Sequence, residues 1–195
     1  MTTPDRTELL QALASGDDDR AEQAALAVGR LGDAALPALR ELLPTADLDC
    51  RWWITRALGE IHTDASISML IDRCDEPDPD VRACAIFALG MSGEQAVNAV
   101  PALLDRLADP SVYVGGLAAD ALARIGSAAT PPLIRALREG TPAVRGRAAR
   151  ALAQIADTSS IPALVVALED ENPIVEYYAD LALQKMGVGT VLLKV

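Results

Sequence analysis

The sequence predicts an all-α fold, an α–α superhelix (solenoid) of six stacked antiparallel helix pairs. Three observations carry that prediction. The chain is rich in Ala, Leu, Val and Ile but nearly free of aromatics, an alanine-centred anchor recurs six times along it, and apolar columns flanking the anchor repeat at helical intervals. Apolar residues make up 51% of the chain, whereas Phe, Trp and Tyr together contribute 3%. Ala and Leu lose little side-chain freedom in a helix. The β-branched and aromatic enrichment expected of strands is missing.

The anchor is a small residue, a mid-sized one, and usually an aliphatic three positions further on. It reads Ala27-Val28…Leu31, Ala57-Leu58…Ile61, Ala88-Leu89…Ser92, Ala121-Leu122…Ile125, Ala151-Leu152…Ile155 and Ala182-Leu183…Met186. Successive anchors lie 30, 31, 33, 30 and 31 residues apart. A fixed period of this length is the signature of a repeat architecture. Six repeats follow, at about 7–33, 34–63, 64–94, 95–127, 128–158 and 159–187, with an apolar tail at 188–195.

Within each repeat the first helix is set by two columns one turn apart. One holds Leu9, Leu39, Leu70, Leu103, Leu133 and Leu164; the other holds Leu13, Leu43, Cys74, Leu107, Leu137 and Leu168. A gap of four puts both columns on one buried stripe. Pro37, Pro101, Pro131 and Pro162 stand near the start of this helix, where the first N–H groups have no intrahelical partner. A turn rich in Asp, Pro and Gly follows, as in Asp75-Glu-Pro-Asp-Pro-Asp80. The second helix opens with Val81-Arg82, Val144-Arg145 or a relative, and its apolar positions recur at intervals of three and four through the anchor. A helix pair this small cannot bury its apolar side alone, so neighbouring pairs are expected to stack.

These features resemble HEAT-type repeats, and in particular the short HEAT-like repeats named after phycobilin lyases. The resemblance rests on the proline opening the first helix, the acidic turn, Val81-Arg82, Val144-Arg145 and Ala88-Leu-Gly90, and covers about Thr7 to Gly187. It implies that an acidic residue of the turn meets the Arg opening the second helix. Glu76/Arg82 and Glu139/Arg145 have the matching spacing, whereas Asp109 and Asp170 face Gly115 and Glu176. It also implies that the second helices line the binding groove.

The chemistry-bearing residues are few. His62 is the only histidine, and a lone imidazole does not assemble a zinc site, so a structural or surface role is expected. Cys50, Cys74 and Cys84 fall in or beside apolar columns and read as core residues. No phosphate loop or nucleophile elbow is present. The expectation is no catalytic residue, no metal and no cofactor. A net charge of −11 disfavours nucleic acid as a partner. No signal peptide or spanning segment is visible and the cysteine number is odd, so a cytoplasmic protein without a membrane partner is expected. Gly115-Gly116 and Gly146, in opening turns of second helices, suit either tight packing or close approach of a partner backbone.

The pointer to function is a stripe on the second helices at which the repeat does not dictate the residue. It reads Glu22-Leu26-Arg30, Trp52-Arg56-Glu60, Ala83-Phe87-Met91, Gly116-Asp120-Arg124, Gly146-Arg150-Gln154 and Tyr177-Leu181-Lys185. Aromatics and Arg are enriched at interface hot spots. Trp52, Arg56, Phe87, Met91, Asp120, Arg124, Arg150 and Tyr177 are therefore the candidate protein-binding residues, although Trp52, Trp53 and Phe87 equally suit gap filling between repeats. Charge is uneven: residues 64–94 hold seven acids against two arginines, and 128–158 five arginines against two acids. The expected function is a non-catalytic scaffold or adaptor that binds a protein or peptide. A phycobilin-lyase-like subunit handling a tetrapyrrole is the alternative implied by the resemblance. The apolar tail suggests either an end cap or self-association.

Overall fold

The structure, a computed structural model, describes residues 6–189. The tail residues 190–195, to which the cap or self-association reading applies, lie outside the described residues. The described residues form α-helices and short 3-10 turns, with no strand among them. The chain divides into two compact units, Met1–Ser92 and Gly93–Val195.

The first unit contains α1 (Arg6–Leu13), α2 (Asp18–Leu31), α3 (Leu36–Leu42), α4 (Leu48–Gly59), α5 (Asp64–Arg73) and α6 (Pro79–Ser92). The second contains α7 (Val100–Arg106), α8 (Val112–Ile125), α9 (Thr130–Glu139), α10 (Pro142–Ile155), α11 (Ile161–Ala167) and α12 (Pro173–Lys185). Odd-numbered helices are the first members of the pairs and even-numbered helices the second. In each unit the second helices pack along one another, α2 on α4 on α6 and α8 on α10 on α12, more extensively than the first helices do.

Burial follows the repeat. Leu39, Leu103, Leu133 and Leu164 are fully buried, as are Leu58, Leu89, Leu122, Leu152 and Leu183 from the anchors. Each such leucine contributes about 1.5–3 kcal/mol relative to exposure. Leu43 and Leu168, which follow the short helices α3 and α11, are half-buried, as is Ala27 within α2. Pro37, Pro101, Pro131 and Pro162 all occupy the first turn of a first helix.

Each second helix is followed by a residue with positive φ. Five residues after each anchor stand Gly32, His62, Gly93, Gly126, Ala156 and Gly187, all with positive φ between 54° and 87°. Glycine takes this left-handed geometry without a Cβ clash. His62 and Ala156 take it at φ 54°, which gives His62 a structural position on the surface.

The acid–arginine pairing differs from the within-repeat expectation. Arg82 donates to the backbone carbonyls of Glu76 (2.8 Å) and Pro77 (2.9 Å). The Glu76 carboxylate instead pairs with Arg73 (2.6 Å) and Arg51 (3.6 Å). Arg145 donates to the Gly140 carbonyl in its own turn (3.3 Å), and its Nε and Nη2 make a forked pair with Asp170 of the next repeat at 2.8 and 2.9 Å. The ladder thus runs between repeats: an Arg opening one second helix reaches the acid in the following turn. Asp170, expected to face Glu176 without a partner, is the acid of such a pair. The Arg145 hydrogen bond holds its carboxyl below the ordinary value of 3.8.

Gly115 has a related role. A Cβ there would lie 2.4 Å from Cζ of Arg147, because this guanidinium crosses Gly115 to donate to the Leu107 carbonyl at 2.5 Å. Repeat four lacks an Arg of its own at this position, and α10 supplies one. The tight-packing alternative therefore holds for Gly115, and also for Gly146, whose added Cβ would meet Ile174 Cγ2 at 3.2 Å.

Candidate functional site

The helical period fixes where the stripe lies. Positions i, i+4 and i+8 on a second helix share one side. Because the anchor residues turn inward, that side faces solvent or the adjoining second helix.

In the first unit, Leu26 on α2 and Phe87 and Met91 on α6 are exposed, Phe87 by 55% and Met91 by 52%. Trp52 on α4 is half-buried and stands edge-on to Trp53, with centroids 4.8 Å apart. Arg56 is tied to Glu60 one turn along α4. This pair is partly exposed and neutralises the middle of the face. In the second unit Tyr177 is 62% exposed and packs edge-on with Tyr178 at 5.1 Å. Arg150 and Asp120 form an ion pair between α10 and α8, with Nη2 at 2.6 and 2.7 Å from the two carboxylate oxygens, and Gln154 adds a bond of 2.9 Å to the same acid. Arg124 is exposed. Of the eight candidates, Phe87, Met91, Arg124 and Tyr177 are therefore presented to solvent and Trp52 is presented in part. Arg56, Asp120 and Arg150 hold one another or neighbouring groups.

A feature of the same face escapes a reading based on the stripe alone. The N-cap of each second helix lies ten residues before its anchor, and the stripe begins five residues after the cap. In the first unit the three residues from the cap onward read Asp17-Asp18-Asp19, Asp47-Leu48-Asp49 and Asp78-Pro79-Asp80. In the second they read Ser111-Val112-Tyr113, Thr141-Pro142-Ala143 and Asn172-Pro173-Ile174. Asp17, Asp47 and Asp78 accept from backbone N–H groups at 2.9–3.2 Å, as N-caps do. Ser111, Thr141 and Asn172 perform the same task without charge. Asp19, Asp49 and Asp80 are exposed, and each is followed three, seven and eleven positions on by the stripe residues of its helix. The corresponding residues of the second unit, Tyr113, Ala143 and Ile174, are exposed and uncharged. The signal lies in the sequence, in the register of the caps and not in that of the anchors.

Burial pushes the Cys84 thiol up to about 11, against a smaller lowering by Arg56, and burial followed by the Asp47 charge raises Cys50. Such thiols are poor nucleophiles at neutral pH. Among the described residues no group of three or more His, Cys, Asp or Glu is placed to hold a metal, and no helix is long and apolar enough to cross a membrane.

Comparison with known proteins agrees with this architecture. Solved structures with the same fold include an engineered protein at 24% identity, covering 95% of this chain and 98% of that one with a TM-score of 0.54. A second engineered protein has 25% identity, with coverage of 95% and 100% and a TM-score of 0.54. A designed armadillo repeat protein in complex with the peptide (KR)4 has 21% identity, with coverage of 94% and 100% and a TM-score of 0.55. No curated protein shows a significant match. A family model of HEAT repeats matches residues 7–90, 67–141 and 130–192, nearly the whole chain, and the protein belongs to the HEAT repeat family.

Proposed function

We propose that the protein is a non-catalytic scaffold that binds a protein or peptide on the solvent-facing stripe of its second helices. The observation supporting this reading is the exposure of Phe87, Met91 and Tyr177 on a face where the repeat requires no bulky residue. Exposed aromatic and Met side chains lose water when a partner covers them, and such residues dominate binding energy when they are fully desolvated. In the first unit the Arg56–Glu60 pair, and in the second the Asp120–Arg150 pair, hold the surface beside the apolar positions of that unit. Trp52, half-buried beside Phe87's row, serves as a floor for a bound side chain. The armadillo design with the same fold carries a bound peptide; here the proposal rests on this chain's own exposed residues.

The test compares the wild-type chain with Phe87→Ala and Tyr177→Ala variants, each immobilised and exposed to a native lysate. Helicity is expected to be unchanged, because both side chains are largely in water. Capture of the same specific protein is expected to fall by about thirtyfold in affinity, the size of a hot-spot truncation. Equal capture by all three chains contradicts the proposal.

A further inference from the structure

We infer that the first unit's face takes a cationic segment with interspersed aliphatic side chains, an inference that rests on the binding role proposed above. The apolar residues are Leu26 and Phe87, at one register of α2 and α6, and Trp52, one turn nearer the start of α4, which carries Arg56 at the register of the other two. An apolar row of this kind admits many occupants. Charge selects among them, because Asp19, Asp49 and Asp80 stand at the N-terminal end of the same stripe on the same three helices.

Helix capping does not account for these three carboxylates. The caps are Asp17, Asp47 and Asp78, which already accept the orphan N–H groups. Among the described residues no hydrogen bond or ion pair engages the carboxylates of Asp19, Asp49 and Asp80. Favourable interaction with the helix dipole explains an acid in a first turn. It does not explain why the second unit, with the same helix polarity, places Tyr113, Ala143 and Ile174 at the same register. The acidic row shares its helices with Leu26, Phe87 and Met91 further along the stripe, whereas in the second unit the same two registers hold Asp120 and Arg124, Arg150 and Gln154, and Leu181 and Lys185. A partner with both chemistries matches both rows, whereas an acidic segment meets like charge at three places.

Packed helices lie about 8–10 Å apart. An extended polyproline-type segment rises about 3.1 Å per residue and returns to the same face every third residue. Cations at every third position of such a segment therefore meet successive aspartates, and the aliphatic residues between them reach the apolar row.

The experiment uses the full chain and a soluble peptide built from repeated Lys-Leu-Ser triplets, read by the intrinsic fluorescence of the tryptophans on α4. Two control peptides replace Lys by Glu or Leu by Ser. The Lys-Leu-Ser peptide is expected to bind saturably and more weakly as salt rises, with both controls about tenfold weaker or worse. Joint substitution Asp19→Asn, Asp49→Asn and Asp80→Asn is expected to weaken binding about tenfold, in the range of three exposed ion pairs. The peptide series and salt titration decide the matter even if that variant misfolds. Equal binding of the Glu peptide overturns the charge assignment, equal binding of the Leu-free peptide overturns the role of the apolar row, and no binding of Lys-Leu-Ser overturns the inference. If Phe87→Ala abolishes capture of a lysate protein while the cationic peptide does not bind, this inference fails and the scaffold reading stands.

Discussion

The two units use the same second-helix register in opposite ways. In the first, the N-terminal end of the stripe carries Asp19, Asp49 and Asp80, and Leu26, Phe87 and Met91 follow further along. In the second, Tyr113, Ala143 and Ile174 stand at the N-terminal end, and the stripe continues into Asp120, Arg124, Arg150, Gln154 and Lys185, with Tyr177 and Leu181 on α12 alone. Both units keep the buried leucines of the first helices and the capped start of the second. Packing therefore constrains the inward columns and the cap position, while the solvent-facing register is free to differ. That freedom is where recognition is written in a repeat protein.

The difference extends to how the turns are held. The first unit uses Glu76 as an acid shared by Arg51 and Arg73, whereas the second brings Arg147 across Gly115 to the Leu107 carbonyl. Gly115→Ala tests that arrangement and is expected to have the largest effect. The added methyl displaces the Arg147 guanidinium, leaving a partly buried charge and the carbonyl unpaired, at about 1–3 kcal/mol in urea unfolding. Gly116→Ala is the control. Its Cβ meets nothing closer than Arg150 Nη1 at 3.8 Å, so it is expected to stabilise the helix by up to about 1 kcal/mol. If both substitutions act alike, Arg147 is not held as described.

A smaller effect is expected at the inter-repeat pair. Asp170→Asn removes the carboxylate that Arg145 grips, and the loss is expected to depend on pH. The folded carboxyl is depressed below 3.8, so its contribution is present above about pH 4 and is lost as pH falls through the lower folded value. Wild type and variant should differ most near neutrality and converge in acid. A pH-independent difference would mean that packing, and not the charge pair, carries Asp170's contribution.

The smallest effect concerns the helix ends, where each unit has one residue other than glycine at the positive-φ position. His62→Gly in the first unit and Ala156→Gly in the second are each expected to stabilise by about 0.5–1 kcal/mol, because a left-handed conformation is costly for residues with a Cβ. Urea midpoints that fall in either variant would show that the side chain contributes more than the strain it causes.

Much of the fold was legible because the repeat is written in side chains that pack. Leu39, Leu103, Leu133 and Leu164 announce their burial by spacing alone. The ladder was misread because Glu139 and Arg145, six residues apart, suit a local pair, whereas the real partner of Arg145, Asp170, comes within reach only through stacking. The positive-φ column was visible as glycine at four of its six places, and nothing local marks His62 or Ala156. Among the candidate residues, type alone could not show that Arg150 is held by Asp120 of the neighbouring second helix. The Asp19, Asp49 and Asp80 row was overlooked because an acid in a first helical turn already has an ordinary explanation. Its significance emerges only beside the uncharged row of the other unit.

The most direct test of binding on the second-helix face is a residue-resolved NMR titration of the full chain with the Lys-Leu-Ser peptide. The account predicts amide shifts concentrated at Asp19, Leu26, Asp49, Asp80 and Phe87, with a shift of the Trp52 indole N–H and little change at Tyr113, Ala143 or Ile174. Shifts confined to the first helices α1, α3 and α5, or spread evenly over both units, would contradict it.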